Sequence, residues 1–181
     1  MRLNRWGSDR GLIGGRKYGT SHGPFSCGIT VTTSSSLTST VWPAANLAIY
    51  APVVIDEDTK VTQLWTVNGA AVAGNVDIGL YSVDGVRLAS AGSTAQSGVN
   101  LMQKFDITDL YLGPGTYYLA VSLSDAATAT LGGQTQTTAV WGKIVGLAEE
   151  TSALPLPAVA TFATYTRLFL PLIGFVGDAV L

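Results

Sequence analysis

Between Asn75 and Ser90 the chain reads NVDIGLYSVDGVRLAS. Val76, Ile78 and Leu80 alternate with Asp77, Gly79 and Tyr81, the period of two expected of a strand with one buried face. Asp84-Gly85 follows, flanked by Val83 and Val86. An Asp-Gly pair in this setting is a strong hairpin signal, because a type I′ turn needs positive φ at both central residues. Val86, Leu88 and the small residues after them form the return strand. The stretch reads as a β-hairpin, with Asp77 on its solvent face and Asp84 in its turn.

A second stretch, Leu110 to Ser124, repeats the logic. Gly113-Pro114-Gly115 is a tight turn, Pro fixing φ and Gly supplying backbone freedom. After it Tyr117, Leu119, Val121 and Leu123 share one face, and Tyr118, Ala120, Ser122 and Ser124 the other. The first face suits packing against Val76, Ile78 and Leu80 in a two-layer sandwich.

These residues also carry a resemblance. Ile78-Gly-Leu-Tyr-Ser-Val-Asp-Gly85, Leu88-Ala-Ser-Ala-Gly-Ser93 and Leu112-Gly-Pro-Gly-Thr-Tyr-Tyr-Leu-Ala-Val-Ser122 together resemble a β-sandwich module recurrent in structural proteins of tailed bacteriophages. The resemblance covers roughly residues 50–123, with Gly23-Pro24-Phe25-Ser26 upstream. It implies architecture and a virion setting, and attaches no catalytic residue.

The rest of the chain continues in short strands. Ile29 and Val31 alternate inside a Ser/Thr-rich segment. The run 46–55 is a strand that Pro52 places at an edge or bulge. Asp56-Glu57-Asp58 forms an acidic turn. In the strand over 60–68, Val61, Gln63, Trp65 and Val67 fall on one side and Leu64 on the other. Asn68-Gly69 signals a further turn. Residues 98–107 supply a strand with Leu101 and Phe105. Residues 125–139 read as a long loop or weak strand, and 141–147 as a short strand or a loop packed down by Trp141. Residues 149–157 form a loop with two prolines, and 161–175 a final strand that bends or ends at Pro171. Short strands at near-regular spacing predict an all-β protein, an antiparallel β-sandwich or jelly roll over 25–181, preceded by an extended N-terminal arm over 1–24.

The arm carries most of the functional signal. Residues 1–17 hold five basic side chains against one acidic, a charge of +4, while the remainder holds five basic against eleven acidic, −6. Arg2, Arg5, Arg10, Arg16 and Lys17 supply the charge, and Trp6, Leu12 and Ile13 supply apolar anchors of a kind that disordered tails usually lack. These eight residues are the candidate interface. Five charges over 17 residues are sparse for phosphate binding beside an acidic body, so the expected partner is protein and not nucleic acid. Charged residues make up 12% of the chain, against about a quarter in ordinary soluble domains, which favours a surface covered by partners.

Catalytic and metal motifs find little support. Gly19-Thr20-Ser21-His22-Gly23 matches G-x-S-x-G but lacks the strand–turn–helix context of a nucleophile elbow. One His and one Cys do not compose an ordinary zinc site. Asp56, Glu57 and Asp58 lack the spacing of a calcium loop. Asp77 and Asp84 are explained by a strand face and a turn, and not as paired glycosidase carboxylates. The single Cys27 excludes an internal disulfide framework. No apolar signal region follows Met1, and the apolar run 168–176 is too short to span a bilayer, so no membrane partner and no cofactor are expected.

Two functions follow as expectations. The first is a non-enzymatic virion protein of a bacteriophage, in head, neck, tail or fibre, forming homo-oligomers and binding other virion proteins. The second is a carbohydrate-binding module for a host glycan. Its ring-bearing candidates are Trp42, Trp65, Trp141, Tyr50, Tyr81, Tyr111 and Tyr118, of which half or more are expected in the core.

Overall fold

Alternating apolar residues need a second layer to cover them, and the chain provides it with antiparallel sheets. The computed structural model describes residues 16–20 and 38–179. One sheet runs in the order β1 (Arg16–Thr20), β14 (Ile173–Ala179), β4 (Thr59–Val67), β8 (Met102–Leu112). The facing sheet runs β12 (Ala163–Thr164), β11 (Ala148–Glu150), β3 (Ala48–Ile55), β9 (Gly115–Leu123), β5 (Asn75–Ser82), β6 (Arg87–Ser90), with β7 (Thr94–Ala95) also on β5. A small third sheet, β13 (Phe169–Pro171), β10 (Thr130–Thr135), β2 (Thr38–Val41), adds to one side. The fold is an all-β sandwich, as the alternation predicts.

The residues expected inside are inside, but the β5 and β9 faces do not pack across two layers: the two strands are neighbours in one sheet, with Ile78 beside Val121 and Leu80 beside Leu119. Val76, Ile78 and Leu80 of β5 and Leu119, Val121 and Leu123 of β9 are fully buried, and they share a core with Val61, Leu64, Phe105, Ile173 and Phe175 of the opposite sheet. Two tight turns stitch the layers together. Residues 56–58 carry the chain from β3 to β4, and the Gly113–Gly115 turn carries it from β8 to β9, each a passage between sheets.

Four local readings are corrected or extended. The β5–β6 connection is not a type I′ turn. Gly85 N–H donates to Ser82 O (3.0 Å), Ser82 N–H to Val86 O (2.9 Å), and only Gly85 of the two central candidates has positive φ, +80°. That is a three-residue loop, a type I turn closed by a glycine bulge. In β4, Thr62 is an extra residue opposite β14, while β8 sets residues 107–109 against it, and with the ladder broken there Val61 and Leu64 reach the same interior where strict alternation separates them. Asn68, read only as part of a turn signal, has a further role at the end of β4. It is buried, and its side chain bonds Ser97 O, Gln103 Oε1 and Gln96 Nε2. Residues 140–144 form a short helix, α1 (Val140–Ile144), in which Gly142 lies flat on Tyr165 and Trp141 faces solvent.

Pro52 sits where its missing N–H does least harm. β11 covers only Ala48–Tyr50 of β3, so Pro52 lies on the uncovered half of that side while pairing with Tyr118 on the other. The predicted final strand over 161–175 is three strands in three sheets, β12, β13 and the start of β14, and the chain changes layer just after Pro171.

Candidate functional site

The outer face of the larger sheet is built from residues that alternate with the core. They are Asp77, Gly79 and Tyr81 on β5, Ala120 and Ser122 on β9, and Ala48 and Tyr50 on β3. All are buried. After β11 the chain returns across this face as a strap over 151–162, and Leu156 seats against Gly79, where no side chain intervenes. Asp77, expected on a solvent face, is thus fully covered. Its Oδ1 accepts from Ser90 Oγ (2.8 Å) and its Oδ2 from the Leu156 N–H (2.9 Å).

Further bonds fix the strap. Tyr81 Oη donates to Pro157 O (2.7 Å), Tyr50 Oη to Glu150 Oε2 (2.8 Å), and the Thr161 N–H to the same Glu150 oxygen (3.0 Å). Arg87 donates to Leu156 O. Tyr50 and Tyr81 meet edge to face at 5.3 Å, and Tyr50 meets Phe162 at 5.0 Å. Burial pushes both tyrosine hydroxyls well above their ordinary value, and the Glu150 bond pushes Tyr50 further.

At the side of the sandwich, between β6 and β8, lies a cleft of about 580 Å³. Its lining includes Asp77, Arg87, Ser90, Ile107, Asp109 and Pro155. Its charged groups are engaged within the chain: Asp77 and Arg87 by the strap, Asp109 by Lys60 Nζ at 2.6 Å. The Asp109 hydrogen bond and charge raise the Lys60 ammonium pKa. Among the described residues no group of three or more His, Cys, Asp or Glu side chains is placed to hold a metal ion, and no helix is long and apolar enough to cross a membrane.

The sequence-derived candidates scatter. Arg16 and Lys17 lie in β1, whose backbone pairs with Asp178 and Gly177 of β14. Arg2, Arg5, Trp6, Arg10, Leu12 and Ile13 lie outside the described residues, as do Ser21, His22 and the strand predicted around Ile29 and Val31. Of the aromatic candidates Trp42, Trp65, Tyr50 and Tyr81 are buried and Tyr118 half-buried, while Tyr111 and Trp141 are exposed. Sequence reasoning missed the strap, though Leu154-Pro-Leu-Pro157, apolar residues spaced by prolines, was a signal for a segment laid on an apolar face.

No family model matches this chain, and no curated protein or solved structure matches it. Fold and surface alone therefore define its class, an all-β sandwich with one sheet covered on both faces.

Proposed function

We propose that this chain is a non-enzymatic structural component of a bacteriophage particle, assembling through its N-terminal arm and its sandwich surface. The reading rests on one observation above all. On a chain with only 12% charged residues, α1 holds Val140, Trp141 and Ile144 outward, each more than half exposed. Large apolar side chains on a charge-poor surface mark contact sites. The resemblance to phage structural modules over residues 50–123, which spans β3 to β9, and the opposed charges of arm and body support the same reading.

Mass spectrometry of purified particles of the phage that encodes the chain tests this directly, and absence of the chain from them overturns it. The arm is tested by deleting residues 1–15, which spares β1. The truncated chain is expected to keep its β content by circular dichroism and to lose incorporation. Normal incorporation would reduce the arm to a tail.

Carbohydrate binding in receptor attachment is the second reading, favoured by the exposed rings of Trp141 and Tyr111. A glycan array decides it: binding abolished by Trp141→Ala supports this reading, and no binding by the wild type removes it.

A further inference from the structure

β8 ends its sheet. Among the described residues it pairs with β4 on one side and with no strand on the other. An open edge presents unpaired backbone groups, and which residues present them follows from the ladder. The Asn68 N–H donates to Leu101 O (2.9 Å), whereas the Val67 N–H points the other way, to Leu172 O (3.2 Å). The alternation therefore turns the backbone groups of Gln103 and Phe105 toward β4. Those of Met102, Lys104 and Asp106 face the open side.

The side chains along this edge have an order of their own. Phe105 is buried in the core, and Lys104 and Asp106 on either side of it are exposed. Lys104 makes no ion pair among the described residues. Asp106 accepts a hydrogen bond from Gln63 Nε2 at 2.5 Å, which holds it on the outer face.

Suppose two such edges meet antiparallel about a two-fold axis normal to the sheet, so that a residue on the axis faces its own copy. An axis at Lys104 sets lysine against lysine, and one at Asp106 sets aspartate against aspartate. An axis at Phe105 sets Lys104 opposite Asp106 twice. It also makes both of those positions hydrogen-bonded pairs, because the backbone groups of residues 104 and 106 are the ones that point outward. Hydrogen-bond parity is met by any axis that falls on a residue, and charge selects the one at Phe105.

We propose that two copies of this chain pair antiparallel through β8, centred on Phe105, joining their four-stranded sheets into one. Single charges on an edge usually repel other strands. Here the alternation of sign repels the neighbouring registers and accepts one. The β8 ladder becomes irregular after Asp106, which confines the pairing to roughly residues 102–108 and makes the dimer concentration-dependent. This goes beyond the particle reading and stands without it.

Sedimentation equilibrium of the full chain over a concentration series tests the proposal. The wild type is expected to dimerise. Lys104→Glu and Asp106→Lys each turn two attractive cross-strand pairs into repulsive ones, so each is expected to weaken the dimer by roughly tenfold or more. The double variant K104E/D106K restores opposite charges and is expected to recover dimerisation. Both positions are exposed, so the variants are expected to keep the wild-type fold, checked by circular dichroism. A wild type that stays monomeric overturns the proposal. So does a dimer that either single variant leaves intact, which would place the contact on the arm or α1, or a double variant that fails to recover.

Discussion

Asp77 ties three parts of the chain together, binding from β5 the Ser90 hydroxyl at the end of β6 and the Leu156 amide of the strap. Truncating it leaves a buried donor without a partner, which costs more than the bond itself was worth. Asp77→Ala is expected to destabilise by roughly 1–3 kcal/mol in urea denaturation. Asp77→Asn, which keeps an acceptor, is expected to cost less. An effect no larger than that of a surface substitution would show that the strap is held without it. Gly85 carries the other residue-scale constraint. Its φ is +80°, and a Cβ there would meet Ala160 O at 2.9 Å. Gly85→Val is expected to cost on the order of 1–3 kcal/mol, again read from the denaturation midpoint.

At the scale of elements, β5 and β9 set the core. Leu80 and Leu119 are fully buried and face each other as register partners. Truncating either to Ala is expected to cost roughly 2–5 kcal/mol, from lost burial and the cavity left behind. These strands were legible because their inner faces alternate without interruption. β4 was read with the wrong parity because the break at Thr62, a bulge against β14 and a gap against β8, is set by its neighbours and leaves no mark in its own composition. β10 was read only as a loop or weak strand since Ala, Thr, Gly and Gln carry weak periodicity, and α1 was missed because it keeps its apolar residues outside. Asp77 was misplaced for a different reason. What covers it arrives from residues 151–162, and local pattern says nothing about a contact so distant in sequence. Of the candidate interface, only the β1 backbone of Arg16 and Lys17 falls within the described residues.

The whole molecule responds to alkaline pH through its buried tyrosines. Burial raises the Tyr50, Tyr81 and Tyr165 hydroxyls above the value of about 10 that they have in an unfolded chain. The folded state therefore favours their neutral form. Their contribution to stability is fully present below about pH 10 and is lost as pH rises beyond it, because the unfolded chain ionises first. In an alkaline titration followed by phenolate absorbance, these three are expected to ionise together with the loss of near-ultraviolet dichroism. Ionisation of all seven tyrosines in one step at their ordinary value, with the fold intact, would contradict the burial.

The pairing of β1 with β14 has a consequence for how the chain can be handled. Arg16 and Asp178 are register partners, so their backbones run about 5 Å apart. A fusion placed after residue 179 emerges beside the start of β1. The same closeness permits the order of the chain to be rewired. A short glycine linker from 179 to 16, with new ends opened at the 56–58 turn, keeps every strand beside its present neighbours, so a circular permutant is expected to reach the same sandwich.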